Sequence, residues 1–121
     1  MNEFLETTET GDAVIAMLLE EQLIDEILVQ KVANQINELL QNGGPQHLIL
    51  DLSRVWIVCS SMLSKLITLN KKVQSAGGTQ RLCGVSPRLY EVLAITQLNK
   101  LLAIYDSRQQ ALESVCASAN A

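Results

Sequence analysis

The chain has 121 residues, 48% of them hydrophobic and 18% charged, with a formal net charge of −4. That length and apolar content suit one folded domain with its own core, and exclude a disordered chain. The acidic balance, with no basic run and no interleaving of basic and aromatic residues, argues against a nucleic-acid-binding surface.

In chain order, "NEFLETTE" (2–9) reads as a weak strand, and "AVIAMLL" (13–19) as an apolar one. Gly11-Asp12 between them is a turn signal, so the pair is expected to form a hairpin. Asp25 is a candidate N-cap for a helix carrying Leu28, Val32, Ile36, Leu39 and Leu40 at helical spacing. Asn42-Gly43-Gly44-Pro45 should stop it. "HLILDL" (47–52) is a continuously apolar strand, expected to be buried on both faces.

A second helix follows Ser60 and Ser61, with Leu63, Leu66, Ile67, Leu69 and Val73 as its stripe and Ala76-Gly77-Gly78 as its end. "TQRLCGV" (79–85) is the next strand. Ser86-Pro87 is a cap followed by proline at the first helical position, opening a helix through Leu89, Val92 and Leu93. "LLAIY" (101–105) is a short strand, and Ser107 with Gln110 has capping-box spacing ahead of a last helix through Ala111, Leu112 and Val115. The order is β-β-α-β-α-β-α-β-α. It predicts an α/β fold with a mixed, mostly parallel sheet of about five strands and about four helices. One domain should span residues 1–121, with a core over about 3–115 and a frayed tail at 116–121.

Catalytic patterns are missing. His47, the only histidine, starts a strand at the end opposite the serines, so neither Ser60, Ser61 nor Cys59 has a neighbouring base. There is no G-x-S-x-G elbow, and both glycine pairs fail the P-loop pattern and read as helix stops. Asp51 ends a strand and is expected at the exposed C-terminal edge of the sheet, as a single carboxylate. Trp56 is expected to be packed in or near the core, and Lys71-Lys72 to be a solvated helix face.

Cys59, Cys83 and Cys116 have no CxxC spacing and read as reduced thiols of a cytoplasmic protein. No zinc site and no cofactor is expected. No apolar run approaches the roughly 18 to 20 residues of a membrane span. The acidic start (Glu3, Glu6, Glu9) does not resemble a signal peptide.

The stretch "HLILDLSRVWIVCSSMLSKLITLNKKVQSAGG" resembles the STAS domain of bacterial anti-sigma factor antagonists. In that family a strand ends in Asp-Leu-Ser, and Asp-Ser-Ser-Gly-Leu then opens a helix. Asp51-Leu52-Ser53 matches the first, and Cys59-Ser60-Ser61-Met62-Leu63 the second, with Cys59 and Met62 replacing the family's aspartate and glycine. Gly84-Val85-Ser86-Pro87 matches the following strand-to-helix turn, and Leu98 with Leu101-Leu102 the entry to the last strand. Gln97 stands where a glycine is usual, and "EEQLID" lacks the family's glycine before Asp25.

The resemblance implies a non-enzymatic regulatory module that binds a serine-kinase anti-sigma factor. It implies phosphorylation of Ser61, with Ser60 the second choice, reversed by a serine phosphatase. Asp25, Cys59, Ser60, Ser61, Met62 and Leu63 are the implied partner-binding residues, and a weak homodimer is compatible with it. Phosphate at a helix start adds roughly −1.5 to −2 charges where the fold tolerates them and a docked partner need not. A second reading is a non-phosphorylated scaffold in a signalling assembly or an accessory subunit of a membrane transport system. At minimum, Ser60 or Ser61 caps the helix.

Overall fold

The computed structural model describes residues 4–41 and 46–119, with side chains through Val115. Five strands form the main sheet: β1 (Leu5–Thr10), β2 (Ala13–Leu18), β4 (His47–Asp51), β6 (Thr79–Cys83) and β7 (Ala103–Tyr105). They lie in the order β1-β2-β4-β6-β7. The first pair is antiparallel, with Thr10 opposite Ala13, and the other three pairings are parallel. Gly11 takes a φ of +59°, which a two-residue hairpin turn demands and glycine supplies without strain. β4 is central and buried from Leu48 to Asp51, as its continuous apolar run implied.

Two further strands are only two residues long and were not legible in the sequence. These are β3 (Gln22–Leu23) and β5 (Ile57–Val58), which pair in parallel as a separate ribbon. Segments this short carry no periodicity, so only their mutual pairing defines them.

The four helices are α1 (Glu26–Leu39), α2 (Ser60–Ser75), α3 (Pro87–Ile95) and α4 (Arg108–Ala119). Leu18, Leu48, Leu50 and Leu82 on one face of the sheet pack with Val29, Val32 and Ile36 of α1, Met62, Leu66 and Leu69 of α2, and Leu89 and Leu93 of α3. The opposite face is smaller. Ala13, Ile15, Ile49 and Cys83 there meet Ala111 of α4, with Leu112 and Tyr105 beside them. Strand alternation makes this division, since successive side chains point to opposite faces.

The helix starts follow their caps. Asp25 Oδ1 accepts from the amides of Ile27 (2.8 Å) and Leu28 (3.2 Å). Ser86 Oγ accepts from Leu89 N at 3.1 Å, with Pro87 at the first helical position. Ser107 Oγ accepts from Gln110 N, while the Gln110 side chain accepts from Asp106 N, one residue before the expected box partner. The expected stop at 42–45 lies outside the described residues, as do the side chains of the expected tail at 116–121. The segment between α3 and β7 is not plain loop: Leu98–Lys100 forms a 3-10 turn. It is entered through Gln97 at φ +63°, the left-handed conformation that favours glycine.

Candidate functional site

The two serines lie where α1 and α2 begin side by side. The β3–β5 ribbon brings these starts together: Trp56 N donates to Glu21 O, and Cys59 N to Leu23 O. The helices then run in parallel and in step. Ser61 Oγ lies 3.4 Å from Glu26 Oε1 and Lys72 Nζ lies 2.9 Å from Asn37 Oδ1, an advance of 11 residues on each helix (26 to 37, 61 to 72).

The expectation that a serine caps α2 is not met. Ser60 is the first helical residue and Cys59 is the N-cap, with no side-chain hydrogen bond to the helix amides. A thiol is a weak acceptor, so the start of α2 keeps its positive dipole end without a capping oxygen. Ser60 is exposed, and Ser61 half-buried with its hydroxyl donating to Glu26. Met62 points the other way. It is 1% exposed and part of the core, because the third helical residue faces the sheet. It therefore presents no side chain to a partner. Leu63 and Cys59 are half-buried against the same core, and Asp25 is exposed with Oδ1 engaged as the α1 cap.

Sequence reading missed three exposed apolar residues around this corner. Ile24 (52%) and Ile27 (69%) flank Asp25 and Glu26, and Trp56 (45%) precedes β5. Trp56 is thus more exposed than expected. Its ring packs under the Arg88 guanidinium, 5.7 Å from its centroid, a cation–π pair outside the core. The available signal was Ile27 lying off the buried stripe of α1 and Ile24 lying just ahead of its Asp25 cap. The corner therefore combines apolar side chains, the Asp25 and Glu26 carboxylates and two hydroxyls.

Asp51 is not an exposed edge carboxylate. It is buried, accepts from Arg108 Nε at 2.8 Å, and accepts from Ser53 N at 2.9 Å. Burial pushes its pKa up, but the Arg108 and Ser53 hydrogen bonds outweigh that and hold the carboxyl below its ordinary value. Gly84 leaves the space for this arrangement. At φ +68°, a Cβ there would lie 2.9 Å from Asp51 Oδ1 and 3.0 Å from Ser53 Cβ. The Cys83 thiol is pushed up to about 11, by burial first and then by the Asp51 charge, and is inert.

His47 starts β4 with Nδ1 2.7 Å from Thr79 Oγ1, at the strand end away from the serines. Lys71 and Lys72 are exposed. No cluster of three metal-ligating side chains occurs among the described residues. Nor is any described helix long and apolar enough to cross a membrane.

The model of the STAS domain family matches residues 5–111. The chain is 30% identical to the anti-sigma F factor antagonist of Paenibacillus polymyxa over 81 residues, 67% of this chain and 69% of that one. A STAS anti-sigma-factor antagonist domain from Planctomyces limnophilus superposes with a TM-score of 0.80 at 23% identity, covering 93% of this chain and 97% of that one. The anti-sigma factor antagonist SpoIIAA superposes in two states, the phosphorylated one from Bacillus, each at 18% identity. Its unphosphorylated form gives a TM-score of 0.76 over 93% of this chain and 96% of that one. Its phosphorylated form gives 0.69 over 92% and 98%. At these identities the solved structures establish a shared fold.

Proposed function

The chain belongs to the STAS domain family, and from that membership we propose that it is a phosphorylation-switched binding module of the anti-sigma factor antagonist type. In this reading it works in the cytoplasm and engages a serine-kinase anti-sigma factor through the corner where α1 and α2 begin. Ile24 and Ile27 supply apolar contact, Asp25 and Glu26 supply negative charge, and Ser60 and Ser61 open α2, with Ser61 reaching Glu26 at the start of α1. The observation that carries the reading is Ser61 itself: a hydroxyl at the uncapped start of α2, on the flank of an exposed apolar lip.

The kinase transfers the γ-phosphoryl group of ATP. Ser61 Oγ bonds to the γ-phosphorus, the bond to the β–γ bridging oxygen breaks, ADP leaves, and the hydroxyl proton passes to a base of the kinase. The product adds about −1.5 to −2 charges to the corner. The α2 start tolerates an anion because its dipole end has no side-chain acceptor. A partner docked over Ile24 and Ile27 would have to bury that anion unpaired, which is costly, so the modified chain is released. A serine phosphatase restores the binding form. In support, the related SpoIIAA exists in phosphorylated and unphosphorylated forms on the same fold.

The test is incubation with the serine-kinase anti-sigma factor and Mg-ATP, followed by phosphosite mapping and gel filtration. Phosphate on Ser61, lost in S61A, and a complex formed only by the unmodified chain are expected. An unmodified chain that forms no complex overturns the proposal.

A further inference from the structure

We propose that Glu26 is the positioning residue for Ser61 and the group that opposes its phosphorylated form. The inference rests on Ser61 as the phosphate acceptor. In the unmodified chain the Ser61 hydroxyl donates toward Glu26 Oε1 across 3.4 Å, linking the first turn of α1 to the first turn of α2. This is a donor facing an acceptor, and it aims the hydroxyl at the α1 side of the corner. Phosphorylation removes the hydroxyl proton that Ser61 donates to Glu26. An ester carrying about −1.5 to −2 charges then faces a carboxylate, and attraction becomes repulsion.

The neighbouring groups determine where the strain goes. Asp25 cannot yield easily, because its Oδ1 holds the amides of Ile27 and Leu28. Glu26 is the next residue and is exposed, so its side chain is free to swing away. Two features draw the phosphate in the other direction. One is the uncapped dipole end of α2. The other is Lys65, four residues after Ser61 on the same helix face. The phosphate therefore exchanges Glu26 for α2, and the Ser61–Glu26 link between the first turns of α1 and α2 is lost. A carboxylate at Glu26 thus makes the switch two-sided: it orders the acceptor hydroxyl before transfer and destabilises the ester afterwards.

The experiment needs no kinase. Phosphoserine is installed at position 61 by semisynthesis, in the wild-type and E26Q backgrounds, and the phosphate is titrated by phosphorus NMR at low salt. With Glu26 present, the second ionisation of the phosphate should lie about 0.3 pH unit above its value in E26Q, as expected for an exposed like-charge pair. The gap should shrink in 1 M salt. As a second measurement, the melting temperature of S61E relative to the neutral S61Q should rise by about 2 °C when Glu26 is replaced in E26Q, a double-mutant difference from which the constant contributions of the α2 dipole and Lys65 cancel. A merely structural role for Glu26 would shift all melts equally and leave the phosphate titration alone. Equal titrations in the two backgrounds overturn the Glu26 proposal. They leave the Ser61 reading standing, because that depends on kinase phosphosite mapping.

Discussion

At the residue scale, backbone conformation explains two departures from the family pattern. Gln97 occupies the left-handed region at φ +63°, where glycine is usual and where an L side chain is strained by roughly 1–2 kcal/mol. The turn into Leu98–Lys100 forms despite this strain, because it carries Leu98 and Leu102 into the core. Q97G should therefore raise stability by about 0.5–1 kcal/mol, the relief of strain less the extra freedom of the unfolded chain. A shift of the urea midpoint with unchanged m-value checks this. Met62 is the second departure. A glycine there would leave the α2 start bare, whereas the methionine side chain fills core space beneath it.

At the element scale, α2 differs from its neighbours. Asp25 and Ser86 each cap a helix with a side-chain oxygen, whereas Cys59 offers none. C59D restores the aspartate of the family motif and supplies an acceptor for the first-turn amides. It should stabilise the chain by about 1 kcal/mol, raising Tm by about 4 °C for a domain of this size. Thermal melts above pH 6, where the aspartate is ionised, check this. A smaller gain at pH 3 identifies the charge as the cause. The same substitution tests the proposed switch, since a carboxylate at the helix start would compete with a phosphate on Ser61 for the same amides.

At the scale of the whole molecule, the fold is unevenly covered. Three helices pack one face of the sheet and α4 alone covers the other, held at its first turn by Arg108 on Asp51. Because Asp51 holds its proton less readily when folded than when unfolded, its contribution is fully present above the ordinary value near 3.8 and is lost as pH falls through the lower folded value. Acid should therefore loosen α4. D51N should be less stable at neutral pH by about 1–2 kcal/mol, a figure reduced because Arg108 is partly exposed. Its stability should also fall less steeply than wild type below pH 4. Chemical denaturation at a series of pH values in both chains tests this, and parallel curves would exclude the latch.

The sequence by itself determined the order of the five main strands and four helices, the hairpin, three of the helix starts and the burial of "HLILD", because each depends on local signals: period, caps and turn residues. It also located the serine corner through motif resemblance. Tertiary structure alone decided which residues of that corner face outward. Met62 and Ser61 are adjacent in the chain, yet one enters the core and the other faces Glu26, because the rotation of α2 is set by its packing on the sheet. The pairing of Glu26 with Ser61 spans 35 residues. It exists only because a two-residue ribbon, too short to carry any periodic signal, clips the starts of two helices together.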